Sequence, residues 1–94
     1  MTRIIVCGLD RAGYKIFCLL RGQGACVVGV NDKPIPGEAD IIVGNLQASA
    51  TLQSAGIESA KTLVLAGADD TSNLATLMQA RVLNPRIRII NRLW

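Results

Sequence analysis

The chain has 94 residues, half of them hydrophobic but only three aromatic, and a formal net charge of +3. This is enough for one domain (1–94) with an aliphatic core and no more. No apolar run approaches the roughly 20 residues of a membrane span, and no signal peptide is expected, because Arg3 is followed by only four apolar residues before a glycine.

The elements alternate, as in a parallel sheet with helical crossovers. Ile4–Cys7 reads as a first strand. Gly8-Leu9-Asp10-Arg11-Ala12-Gly13 is a turn, and Ala12–Arg21 a helix whose Gly13, Ile16, Phe17 and Leu20 form one buried stripe. Gly22 and Gly24 end that helix. Ala25–Val30 is a second strand, closing on Asn31-Asp32, and Ile41–Val43 a third. Gln47–Ala55 is a second helix stopped by Gly56, and Thr62–Ala66 a fourth strand. Asp70–Leu83 is a third helix with Leu74, Leu77, Met78 and Val82 on one face, capped by Asp69 or Asp70 and stopped at Asn84-Pro85. Ile87–Ile90 is a fifth strand. The pattern predicts a Rossmann-like three-layer α/β sandwich, its parallel sheet ordered 3-2-1-4-5. Ile5, Val6, Val28, Val30, Ile42, Val64 and Leu65 are expected to be nearly inaccessible.

Two features depart from a standard doubly wound sheet. Between the second and third strands, Lys33-Pro34-Ile35-Pro36-Gly37-Glu38-Ala39 forbids a helix, so a tight loop must replace a crossover that normally needs about a dozen residues. Beyond the fifth strand no helix covers Ile87, Ile89, Ile90, Leu93 and Trp94. The chain is therefore expected to be part of a longer one, or to bury this edge against another copy.

Strand, glycine turn and helix in succession point to nucleotide chemistry. In G-x-G-x-x-G the first glycine makes the turn, the second admits a pyrophosphate and the third lets helix and strand pack. Gly8 and Gly13 hold the outer positions and Asp10 the middle one. A carboxylate there repels a diphosphate and fills its space, unless it turns outward or caps its own helix. Arg11 can reach a phosphate or stay solvated. Asp32, or Asn31 one residue earlier, stands where an acceptor meets ribose hydroxyls, and either is also a good turn residue. Asp69 and Asp70 read as helix caps. The sequence has no His, and none of Cys7, Cys18 and Cys26 forms a C-x-x-C pair, so neither a metal site nor a catalytic set is expected and the cysteines read as buried hydrophobes. The basic residues are scattered, with only Arg86, Arg88 and Arg92 clustered, which argues against nucleic acid as a partner.

The sequence resembles the N-terminal nucleotide-binding lobe of the RCK or TrkA-N domain, which regulates potassium conductance. The turn Gly8–Gly13 with its Arg11, Gly44-Asn45, Leu52-x-x-Ala55-Gly56-Ile57-Glu58-x-Ala60, Asp69-Asp70-x-x-Asn73 and Asn84-Pro85 carry the resemblance. It implies a cytoplasmic, non-enzymatic, ligand-sensing domain of a potassium channel or transporter, working as a homo-oligomer and associated with the membrane through that partner. The implied cofactor is NAD(H) or an adenine nucleotide, with Arg11 on a phosphate and Asn45 near the adenine edge; Ala66 completes the candidate set. The chain departs from the family at Asp10, at Asn45 (an acid in relatives) and in the lost crossover helix. A structural module without ligand is the alternative, and a small NAD(P)-dependent oxidoreductase the third.

Overall fold

The computed structural model describes residues 2–91. Arg3–Cys7 (β1), Cys26–Asn31 (β2), Ile42–Val43 (β3), Thr62–Leu65 (β4) and Arg88–Asn91 (β5) form one sheet in the order β3-β2-β1-β4-β5. Every pairing is parallel, with Ile5 opposite Val28 on one side and Leu63 on the other. Helix α1 (Arg11–Gly22) covers one face; α2 (Ser49–Ser54), a 3-10 turn (Ile57–Ser59) and α3 (Asp70–Leu83) cover the other. The expected Rossmann-like sandwich is thus present.

Strand alternation divides the core in two. Ile5, Cys7, Val30, Leu63 and Leu65 meet Leu52, Ile57 and Ala80 on the α2–α3 side. Val6 and Val64 meet Leu9, Phe17 and Ile41 on the α1 side. Val28 and Ile42, expected to be inaccessible, are only half-buried, because the six-residue α2 is too short to roof that end of the sheet. Of the cysteines only Cys7 is buried, and burial pushes its thiol up to about 12; Cys18 and Cys26 are half-exposed.

The second helix is shorter than its pattern suggests. Asn45 Oδ1 accepts the Gln47 amide at 2.9 Å, holding a turn where the helix was expected to begin. Gly56, at φ +85°, ends it and leads into the 3-10 turn.

The largest correction concerns α3. Of the four residues expected on one face, Leu74, Met78 and Val82 point outward, 53%, 62% and 75% exposed, whereas Leu77 packs on the core beside Asn73, Thr76 and Ala80. Ile87, expected on an uncovered edge, is 2% exposed in the core; Ile90 is half-exposed. Arg92, Leu93 and Trp94 lie outside the described residues.

Candidate functional site

The turn after β1 is built by close approach. Gly8 has φ +88°, and a Cβ there would lie 2.6 Å from the Gly67 backbone. A Cβ on Gly13 would lie 1.8 Å from the Gly8 carbonyl oxygen and 3.2 Å from the Ala66 Cβ. Gly13 and Ala66 are both buried and let α1 sit directly on the turn. The Gly8 amide donates to the Val30 carbonyl at 2.9 Å, and the Leu9 amide to Asn31 Oδ1 at 3.0 Å. Asn31 Nδ2 donates to the Lys33 carbonyl at 2.9 Å. The Asn31 side chain therefore ties the glycine turn to the loop after β2, and Asp32 next to it lines the cleft.

Across the turn, Asn73 Nδ2 donates to the Gly67 carbonyl at 2.8 Å and fixes the loop between β4 and α3. Asp69 caps α3, its two oxygens accepting the Thr71 amide at 3.1 Å and the Ser72 hydroxyl at 3.0 Å. Gln47 Nε2 reaches Ser72 Oγ at 3.2 Å, linking the start of α2 to the start of α3.

These loops enclose two adjoining cavities above the carboxyl ends of the strands. They lie where the strand order reverses around β1, the position at which open α/β sheets bind ligands. The inner cavity, about 240 Å³, is lined by Gly8, Asp10, Asn31, Asp32, Gly67, Asp69 and Asn73 among others. The outer, about 460 Å³, is lined by Asp32, Gly44, Asn45, Leu46, Gln47 and Ser72. Of the candidate residues, Gly8, Asp10, Asn31 and Asp32 thus meet at the inner cavity, and Asn45 joins Asp32 at the outer. Arg11, exposed on the first turn of α1, lines neither. Leu46, Gln47, Gly67, Ser72 and Asn73 were not expected there; of these only Asn73, inside the Asp69-Asp70-x-x-Asn73 spacing, carried a signal in the sequence. A separate depression of about 550 Å³ on the outer side of α1, lined by Lys15, Cys18, Leu19, Gly22 and Gln23, lies away from the strand ends and gathers no convergent polar groups.

The inner cavity is acidic. Asp10, at the N-cap of α1, is exposed and makes no capping bond, and it lines the inner cavity together with Asp32 and Asp69.

The loop after Asp32 is clamped to α1. Ile35 pairs with Glu38 around Gly37, and the Glu38 carboxylate, 11% exposed, takes two bonds from the Arg21 guanidinium at 2.8 and 2.9 Å. The Tyr14 hydroxyl donates to the same carboxylate at 2.8 Å, and Arg21 lies 4.7 Å over the Phe17 ring. The bonds from Arg21, then from Tyr14, hold the Glu38 carboxyl down at about 2, while the bond to Glu38 raises Tyr14 to about 12.

Comparison with known proteins places this geometry among relatives. Residues 4–93 match the family model of the TrkA-N domain. An uncharacterised protein of Methanothermus fervidus is 31% identical over 99 residues, covering 97% of this chain and 16% of that protein. The Kef CTD of Shewanella denitrificans, in its AMP-bound form, is similar with TM-score 0.88 and 24% identity over 97% of this chain and 58% of that one. GsuK bound to ADP is similar with TM-score 0.84 and 25% identity over 97% of this chain and 25% of that one. The TrkA-N domain of the inner membrane protein ybaL from Escherichia coli gives TM-score 0.86 and 23% identity over 97% and 71%. The chain thus spans only part of the length of the proteins it matches.

Proposed function

The chain belongs to the TrkA-N domain family, and from that premise we infer that it is a regulatory module that binds an adenine nucleotide or NAD(H) and belongs to a potassium channel or transporter. The observation that supports this most is the two-part cleft at the strand-order reversal, in a chain 25% identical to GsuK with ADP bound. The wide outer cavity suits adenine, with Asn45 and Gln47 offering both donors and acceptors beside Leu46. Asp32, shared by both cavities, suits the ribose hydroxyls. Gly8 brings backbone to the first phosphate, and Arg11 meets a phosphate from outside the cleft. Gly13, Ala66 and Asn31 hold the site from below.

The role is regulatory rather than catalytic, and the module is cytoplasmic, attached to the membrane through its partner and assembled with further copies. Coupling to transport requires that the ligand bind one arrangement of the assembly better than another. A second reading, a structural module without ligand, is favoured by the acidic lining of the inner cavity. Thermal-shift titration with AMP, ADP, ATP, NAD⁺ and NADH separates the two. A ligand at 100 times its dissociation constant adds about 2.7 kcal/mol to stability; no shift with any of the five favours the structural module.

A further inference from the structure

The two cavities differ in charge as well as in size. The outer one carries the amides of Asn45 and Gln47 and a single acid, Asp32, whereas the inner one is lined by Asp10 and Asp69 as well as Asp32, where the phosphates of an adenine nucleotide would lie. Arg11 and Lys33 are exposed and line neither. The N-termini of α1 and α3 together supply about one positive charge, and that of α3 is already met by the Asp69 carboxylate. Asp69 is held by Thr71 and Ser72, so its position is fixed. Asp10 has no capping bond and occupies the middle position of the glycine motif, where backbone and pyrophosphate would be closest.

We propose that the cleft ranks its adenine ligands by phosphate charge, lowest first, and that Asp10 sets the ranking. Adenosine binds more tightly than AMP, and AMP more tightly than ADP, the reverse of what an intact glycine motif provides. The proposal rests on the adenine-binding reading above. It identifies the ligand class as a nucleoside or monophosphate rather than a diphosphate or dinucleotide.

The test is calorimetric titration of the full chain with adenosine, AMP and ADP in EDTA, so that no divalent cation bridges phosphate to carboxylate. Each added phosphate is expected to weaken binding by roughly tenfold. Raising the ionic strength from about 0.05 to 0.5 M should recover ADP binding several-fold and leave adenosine unchanged, since screening relieves repulsion alone. Asp10→Asn keeps the shape and the N-cap preference but removes the charge; it should tighten ADP by roughly tenfold and leave adenosine within twofold. ADP binding as tightly as adenosine in the native chain, or an ADP-to-adenosine ratio unmoved by Asp10→Asn whatever salt does to it, would overturn the proposal while adenine binding stands. Absence of binding by all three ligands to both proteins would overturn the adenine-binding reading and the ranking with it.

Discussion

Helices α1 and α3, of 12 and 14 residues, pack on opposite faces of one sheet and differ in what they turn toward it. Helix α1 turns its apolar stripe inward, with Phe17 buried to 2% and Tyr14, Ile16 and Leu20 packed around it. Helix α3 turns Asn73, Thr76 and Ala80 inward beside the partly buried Leu77 and Leu83, and leaves Leu74, Met78 and Val82 exposed. Hydrogen bonds fix its two ends: Asn73 to the Gly67 carbonyl at the start, and Asn84 Nδ2 to the Ile57 and Ala60 carbonyls at 2.9 and 3.0 Å just past its last turn. The contrast shows that apolar spacing identifies a helix without orienting it. When polar side chains find partners inside, the outward face is left to apolar ones.

This contrast can be broken by substitution. Phe17→Ala should have the largest effect, about 3–5 kcal/mol, because it removes the central side chain of the α1 layer. The midpoint of urea denaturation reports it, and a loss below about 1 kcal/mol would mean that α1 is not held by burial. Asn73→Ala should cost about 1–3 kcal/mol in the same measurement, since it leaves the Gly67 carbonyl without its side-chain partner. If it is neutral, α3 is not anchored at its start as described.

The clamp on α1 sharpens the comparison through pH. The Glu38 carboxyl is lowered from an ordinary 4.5 to about 2, so its stabilisation is complete above about pH 4.5 and is lost as pH falls toward 2. Tyr14 is raised from 10 to about 12 and Cys7 from 9 to about 12, so both lose their contribution as pH rises across those intervals. Native and Glu38→Gln proteins should therefore differ in melting temperature at neutral pH and converge near pH 2. A gap that persists at pH 2 would place the effect outside the ion pair. The smallest effects should come from α3's outer face. Leu74→Gln, Met78→Gln and Val82→Gln should each stay within about 0.5 kcal/mol, as exposed positions do.

Most of the fold was legible because its signals are local. Alternating apolar runs gave five strands within a residue or two, and Gly8, Gly56 and Asn84 stop or turn the chain where their chemistry requires. The face of α3 was not legible, because it depends on the Gly67 carbonyl and on Ile57 and Ala60, which lie elsewhere in the sequence. At the site, Gly8, Asp10 and Asp32 could be placed from the motif alone. The bond from the Leu9 amide that distinguishes Asn31 from Asp32 is a tertiary contact, and periodicity carries no trace of it. Gln47, in the loop after β3, and Ser72, in the first turn of α3, meet at the cleft only through the assembled sheet.

The loss of the crossover helix has one more consequence. It leaves β3 with two residues, paired only through Val30 with Ile42 and Asn31 with Val43. A strand that short offers a neighbouring chain almost no open ladder on which to add itself, and Gly44 follows at once. Brevity here guards the sheet margin against edge-to-edge aggregation, a task that other proteins give to charged residues or prolines placed along a longer edge.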